Sequence, residues 1–219
     1  MRVLVMGTGG LGGYYGGVLA RDGHDVTFVA RGAHLDAIRQ RGLALRQAGS
    51  GETDVLHPAQ AVATPDEAAG GADFDLILFT VKAYDTETAA AALKSVVGKN
   101  TAVLTLQNGV DAVDQLAAAV GSEHVLAGTT RISTTLGEPG VIVQNTAFSK
   151  LEMGEVSGGV TPRLEAIADA FRAGGIEVLV SDNPLREVWN KFIMIAPHAT
   201  ITSACGQAVG PIRATPEGA

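Results

Sequence analysis

The residues with the clearest chemical potential form a glycine-rich turn close to the first residue. The turn matches the pattern G-x-G-x-x-G and consists of Gly7-Thr8-Gly9-Gly10-Leu11-Gly12. An apolar run precedes it and helix-spaced apolar residues follow it, which is the strand, turn and helix order of a dinucleotide-binding unit. Gly9 would let a pyrophosphate approach the backbone, and the N–H groups at the start of the helix would bind it. The alternative is an ordinary turn in a chain that contains 28 glycines.

The residues after the second predicted strand bear on cofactor choice. In a dinucleotide-binding fold, the end of this strand faces the adenosine ribose, where an NAD site usually has Asp or Glu. This chain has Ala30 and Arg31 instead. No carboxylate would repel a 2′-phosphate there, and a guanidinium can pair with one bidentately. The pattern therefore favours NADP, and the alternative is a solvated arginine at the end of a strand.

Two further polar residues, Lys82 and Asn108, each follow a dense apolar run that predicts a buried strand. The carboxyl ends of parallel strands form the edge of the sheet at which ligands bind. We therefore expect both residues to join the glycine turn in one site, although either could be an ordinary turn residue.

A third polar residue, Lys191, lies in an apolar stretch with a helical pattern from 185 to 195. Glu187 precedes it by four residues, so an ordinary surface ion pair on one helix face would account for it. Spacing alone favours that interpretation.

The elements that must position these residues alternate between strand and helix up to about residue 120, which predicts an α/β fold with a doubly wound, Rossmann-type sheet. The strands predicted for this sheet are 1–6, 25–30, 75–81, 101–106 and 176–181, and the predicted helices are 10–22, 34–41, 85–97, 111–120 and 162–173. Short edge strands are predicted at 42–47 and 54–57, and a few antiparallel strands at 125–130, 141–145 and 150–155.

The segment at 181–184 has the composition of a domain boundary. We therefore predict a dinucleotide-binding domain over 1–182 and the beginning of a helical second domain over 183–219. This second domain is expected to be incomplete within these residues.

Composition narrows the classes of function. The net charge of −7, from 16 basic and 23 acidic residues, argues against general nucleic-acid binding. The single cysteine, Cys205, excludes an internal disulfide and a cysteine-only metal site, and we expect it to be buried. No metal site is predicted. No apolar run approaches the ~20 residues of a membrane helix and no targeting segment is recognised, so we expect a cytoplasmic protein without membrane association.

Several motifs taken together resemble the ketopantoate reductase (2-dehydropantoate 2-reductase) family. They occur in the family's order over nearly the whole chain. The matching segments are the glycine turn with its extension Gly13-Tyr14-Tyr15-Gly16, Arg31, Val81-Lys82-Ala83, Gln107-Asn108-Gly109-Val110, Glu138-Pro139-Gly140 and Glu187-Val188-Trp189-Asn190-Lys191.

The resemblance implies NADPH-dependent reduction of a 2-oxo acid to a 2-hydroxy acid, in pantothenate biosynthesis. The resemblance implies that Gly7 to Gly12 bind the pyrophosphate and that Arg31 binds the 2′-phosphate. It places Lys82 near the cofactor ribose and Asn108 beside the nicotinamide and the substrate. It implies that Lys191 is the general acid. An ammonium suits the last role, because hydride addition builds negative charge on the carbonyl oxygen.

Two departures from the family pattern affect these expectations. Family members that act on ketopantoate have asparagines where this chain has Ile195 and Ala199, which leaves a more apolar 2-oxo acid open as substrate. Most of the family's second domain, the expected surface for a homodimer, is not within the 219 residues. The alternatives are a non-catalytic NADP-binding module, an inactive fragment, or a different Rossmann enzyme of the 6-phosphogluconate or hydroxyacid dehydrogenase type.

Overall fold

The computed structural model describes residues 1–215. The strands are β1 (Arg2–Met6), β2 (Asp25–Val29), β3 (Leu43–Gln47), β4 (Thr53–Leu56), β5 (Gln60–Val62), β6 (Leu76–Phe79), β7 (Ala102–Thr105), β8 (Val125–Arg131), β9 (Thr134–Leu136), β10 (Val141–Gln144), β11 (Lys150–Glu155) and β12 (Glu177–Val180). The helices are α1 (Gly10–Arg21), α2 (Gly32–Arg41), α3 (Thr86–Ala92), α4 (Ala112–Val120), α5 (Pro162–Ala173), α6 (Pro184–Cys205) and α7 (Val209–Arg213).

The larger of two sheets has eight strands in the order β12-β11-β8-β7-β6-β1-β2-β5. Its run from β5 to β8 is parallel throughout. Read from β5, this run has the strand order of a doubly wound Rossmann sheet, which confirms the predicted fold class. β11 pairs antiparallel with β8, and β12 pairs parallel with β11. The carboxyl ends of β1, β2, β6, β7 and β8 therefore share one edge.

The central strands are buried on both faces, as their continuous apolar runs predict. Every residue of β6 and β7 is buried. Ile77 packs into the apolar cluster on one face, and its neighbour Leu78 packs into the cluster on the other. Burying each such side chain contributes about 1.5–3 kcal/mol. The sheet thus provides a rigid edge for the loops that follow its strands.

Helix α1 lies between the two sheets, and this position explains its run of glycines. A Cβ at Gly16 would meet Val5 of β1 on the large sheet. On the opposite side, a Cβ at Gly13 would lie 2.6 Å from Ile142 of β10, and one at Gly17 would lie 2.9 Å from Leu45 of β3. Side chains at these positions would force both sheets away from the helix.

The second sheet corrects part of the expected organisation. It has four strands in the order β4-β3-β10-β9. The predicted edge strands β3 and β4 do pair with each other, but in this separate sheet. Antiparallel pairing is confirmed for β8 with β11 and for β10 with β9. However, β8 also pairs parallel with β7, and β10 leaves the main sheet and pairs parallel with β3. The physical reason is the packing of Ile142 and Leu45 against α1. Two short strands, β5 and β9, were not predicted because neither has a clear apolar pattern.

The helix that carries Lys191 is longer than predicted. α6 continues beyond Ile195 to Cys205 and accommodates Pro197 within it. Its buried Val188 packs into one apolar cluster, while Trp189 is 52% exposed. Cys205 is exposed, so the expectation of a buried thiol is wrong: it lies at the last turn of α6, away from both apolar clusters.

The predicted boundary at 182/183 coincides with the loop before α6. It stays a prediction, and residues 216–219 lie outside the described residues. Among the helices of residues 1–215, none has the length and apolar character needed to cross a membrane.

Candidate functional site

A cleft of about 810 Å³ lies at the carboxyl edge of the parallel strands. Its volume is within the range of about 300–1,000 Å³ that is usual for small-molecule sites. The glycine turn, Lys82, Asn108 and Lys191 all line it. Four segments that are far apart in the sequence therefore meet in one place, as the strand-end argument predicted for the first three.

The glycine turn has the local geometry that its pattern predicts. Gly7 has φ +101°, a backbone conformation that only glycine adopts easily. Gly12 packs directly under the carbonyl of Gly7 and the hydroxyl of Thr80, where no Cβ would fit. Gly9 differs from both, because no atom outside its immediate chain neighbours lies within 4 Å of a Cβ built on it. The turn is therefore closed toward the protein and open at Gly9, where it faces the cleft.

The start of α1 adds an electrostatic preference to this opening. The first N–H groups of a helix have no partner within the helix, and its dipole favours an anion there. Gly9 is the N-cap and supplies no side-chain oxygen, and the first turn contains no acidic residue. The beginning of α1 is thus available to an external anion such as a phosphate.

Two polar residues that received no role from the sequence hold the strand-end loops in position. The hydroxyl of Thr80 donates to the carbonyl of Gly7 at 2.8 Å. The side-chain amide of Gln107 donates to the Val81 carbonyl at 2.9 Å and to the Thr86 hydroxyl at 2.8 Å. These bonds tie the loop after β6 to both the glycine turn and the loop after β7. Gln107 is part of a recognised motif and Thr80 directly precedes another, and these positions were the available signal.

Lys191 does not form the surface ion pair that spacing alone favoured. The carboxylate of Glu187 instead accepts a hydrogen bond from Asn190 at 3.3 Å. Lys191 itself has neither an ion pair nor a hydrogen bond within residues 1–215, and it lines the cleft. Burial lowers the pKa of its ammonium, and the nearby charge of Arg131 lowers it further, while Glu152 opposes the shift.

Arg31 lies on the same edge but does not line the cleft. It is the exposed N-cap of α2, directly beyond the carboxyl end of β2. The glycine turn lies beside that strand end, since the Thr8 hydroxyl donates to the Val29 carbonyl at 2.9 Å. The turn therefore lies between Arg31 on one side and the cleft on the other. A ligand that reaches both must be elongated along the edge.

The charge of the cleft is opposite to that of the whole chain. Its lining residues include the cations Lys82, Arg131 and Lys191. Within residues 1–215, no Asp or Glu lines the cleft. The chain as a whole has a net charge of −7. One of these cations, Arg131, belongs to no recognised motif, so sequence reasoning missed it. An anionic ligand is the natural complement of this cleft.

An open glycine turn before a helix, at the carboxyl edge of a doubly wound sheet, defines the class of dinucleotide-binding folds. Within that class, a model of the family described as ketopantoate reductase PanE/ApbA matches residues 3–158. The chain belongs to this family.

Individual relatives agree with this assignment. The chain is 31% identical over 218 residues to the uncharacterized oxidoreductase YkpB of Bacillus subtilis, covering 100% of this chain and 70% of that protein. It is 39% identical over 198 residues to the 2-dehydropantoate 2-reductase of Halobacterium salinarum, covering 89% and 62% respectively. The crystal structure of 2-dehydropantoate 2-reductase from Porphyromonas gingivalis superimposes with a TM-score of 0.90 at 29% identity, covering 99% of this chain and 76% of that one. The chain therefore spans less than two thirds of the length of the Halobacterium relative.

Proposed function

We propose that this protein reduces a 2-oxo acid to the 2-hydroxy acid with NADPH. The observation that carries the proposal is the cleft itself. It combines an open glycine turn with three cations, and within residues 1–215 no carboxylate lines it. Both the cofactor and a 2-oxo acid are anions. Several relatives named 2-dehydropantoate 2-reductase support the same class of reaction.

The residues present fit the cofactor. The space at Gly9 and the N–H groups at the start of α1 would receive the pyrophosphate. Arg31, on the far side of the turn, would pair with the 2′-phosphate, and Lys82 would lie near the ribose. Asn108, at the end of β7, would lie beside the nicotinamide and the substrate. Bound NADPH would supply the hydride for the carbonyl carbon.

Lys191 would act on the carbonyl oxygen of the substrate. Negative charge builds on this oxygen as the carbon is reduced, and an ammonium at hydrogen-bond distance stabilises that charge and then donates the proton. Burial and Arg131 lower the pKa of Lys191, which makes its ammonium a stronger acid than an exposed lysine. A proton donor is most effective when its pKa is close to the working pH.

Two measurements test this function in sequence. Calorimetry determines whether the protein binds NADPH, and absorbance at the nicotinamide band determines whether NADPH is consumed with a panel of 2-oxo acids. The proposal requires both binding and consumption. Binding without consumption by any 2-oxo acid would instead identify a non-catalytic NADP-binding module.

A further inference from the structure

Arg131 is a cation of the cleft that belongs to none of the recognised motifs and to which the proposed function assigns no ligand. It is the last residue of β8, and its side chain is exposed and lines the cleft. Within residues 1–215, its guanidinium makes no ion pair and no hydrogen bond. The neighbouring Lys150, directly opposite on β11, is paired with both Glu152 and Glu177 at 3.4 Å. An arginine left unpaired at a cleft suits an external anion.

The position of Arg131 relative to Lys191 indicates which anion. Helix α6 packs on β8 and β11, and this packing brings Lys191 and Arg131 into the lining of the same cleft. Two neighbouring cations repel each other, and an anion that contacts both relieves that repulsion. A 2-oxo acid presents a carboxylate and a carbonyl oxygen on adjacent carbons, so it can contact both.

The two cations differ in the oxygen that each one suits. A guanidinium is a planar fork that binds the two oxygens of a carboxylate together, whereas an ammonium is a compact donor suited to a single oxygen. From this placement and chemistry we propose that Arg131 binds the carboxylate of the 2-oxo acid and thereby orients its carbonyl oxygen toward Lys191. This inference rests on the proposed function, because it takes the 2-oxo acid as the ligand.

Apolar residues also line the cleft, so the site has a polar part and an apolar part. Ile132, Met194 and Ile195 line the cleft near the two cations and offer no side-chain hydrogen bond. The carboxylate therefore finds its charged partner at Arg131, and the substituent on the carbonyl carbon meets apolar side chains. This arrangement fits a 2-oxo acid with an apolar substituent.

The test uses a matched pair of probes that cannot be reduced. Oxamate carries the carboxylate of a 2-oxo acid, and oxamide replaces that carboxylate by a neutral amide. Calorimetric titrations of both are made with the NADPH-loaded protein, the Arg131→Gln variant and the Arg186→Gln variant. Arg186 is a suitable control because it is exposed on the same helix as Lys191, makes no side-chain ion pair within the described residues, and does not line the cleft.

The unmodified protein should bind oxamate about ten- to a hundredfold more tightly than oxamide, which is the usual strength of a charge-assisted hydrogen-bonded pair. Arg131→Gln should remove most of this preference and leave oxamide and NADPH binding unchanged. Arg131→Lys should restore part of it, and Arg186→Gln should behave as the parent.

Three results would overturn the proposal: equal binding of the two probes by the parent, undiminished oxamate binding by Arg131→Gln, or a loss of NADPH affinity in that variant. The last result would assign Arg131 to a cofactor phosphate instead. Two further measurements distinguish a failure of the Arg131 proposal from a failure of the proposed function. They are an oxamate titration without NADPH and a separate assay of NADPH consumption. If only the proposed function fails, no 2-oxo acid is reduced, although oxamate binding still depends on Arg131.

Discussion

Two groups of charged residues, at opposite edges of the large sheet, use charge in opposite ways. At the amino edge, the carboxylate of Glu155 is 4% exposed and accepts hydrogen bonds from Arg163 at 2.9 and 2.7 Å and from Thr161 at 2.6 Å. At the carboxyl edge, Arg131 and Lys191 have no such partners within the described residues. Charges that are paired inside the protein contribute to folding, and charges left unpaired at a cleft are available to a ligand. The comparison predicts that substitutions at the two edges affect different properties.

The largest effect is expected at the carboxyl edge, from Lys191→Ala. If Lys191 protonates the substrate oxygen, its loss should lower turnover by about 10² to 10⁴. NADPH affinity and the thermal midpoint should change little, because Lys191 has no partner among residues 1–215. Steady-state NADPH oxidation measures the effect, and Arg186→Ala on the same helix is the control. Full turnover by Lys191→Ala would remove the general-acid role.

The glycine turn provides the next comparison, because two glycines of one motif face opposite ways. Gly9→Val should weaken NADPH binding by about tenfold to a hundredfold or more, since the side chain would occupy open space at the phosphate position. Its fold should survive. Gly12→Val should instead destabilise the protein, because its Cβ would overlap Gly7 and Thr80. Calorimetry and thermal unfolding separate the two outcomes, and unchanged NADPH affinity in Gly9→Val would contradict the phosphate position.

At the amino edge, Arg163→Met should lower the free energy of unfolding by about 2–3 kcal/mol, because it leaves the buried Glu155 carboxylate without its main partner. We expect NADPH affinity to be unchanged in the variant when it is measured well below its melting temperature. Denaturant unfolding provides the first measurement. A variant as stable as the parent would show that this pair contributes nothing to folding.

Arg31→Ala tests the choice between NADPH and NADH. Like Arg163, Arg31 is an arginine, but it lies exposed at the start of α2. One charge-assisted pair with a 2′-phosphate should give the parent about a tenfold to hundredfold preference for NADPH over NADH. The substitution should reduce that preference by weakening NADPH binding, and it should leave the affinity for NADH unchanged. Equal affinities of the parent for both cofactors would contradict the choice of NADP.

The smallest effect concerns acid stability at the amino edge. Burial raises the pKa of Glu155, but its hydrogen bonds with Arg163 and Thr161 outweigh burial and hold that pKa below its ordinary value of 4.5. The folded state therefore favours the ionised form. Its contribution to stability is complete above the unfolded pKa and is lost as pH falls through the folded pKa. Thermal unfolding between about pH 5 and 2 should show a steeper loss in the parent than in Arg163→Met.

The sequence could predict β1, β6 and β7 of the parallel sheet because each is a continuous apolar run that is followed by a helical segment. It did not predict β5 or the parallel pairing of β8 with β7. It could predict the positions of Lys82 and Asn108 for the same reason, since both follow such strands. It could not predict the second sheet, whose short strands depend on packing of Leu45 and Ile142 against α1. That contact joins segments about a hundred residues apart.

Arg131 and Lys191 show the same limit within the site. Spacing paired Lys191 with Glu187, but the packing of α6 on β8 turns Lys191 into the cleft. Nothing in the local pattern marks Arg131 as different from the paired arginines elsewhere. Whether Arg131 has a partner depends on the tertiary structure, so the sequence alone could not show it.

The most direct test of the central claim follows the hydride itself. The protein is incubated with NADPH that carries deuterium at the transferring position of the nicotinamide, together with the 2-oxo acid panel, and the products are examined by mass spectrometry and NMR. The account predicts a 2-hydroxy acid with deuterium on the hydroxyl-bearing carbon, formed in step with NADPH oxidation and at least about a hundredfold more slowly with Lys191→Ala. Tight binding of NADPH with no deuterium transfer to any 2-oxo acid would contradict it.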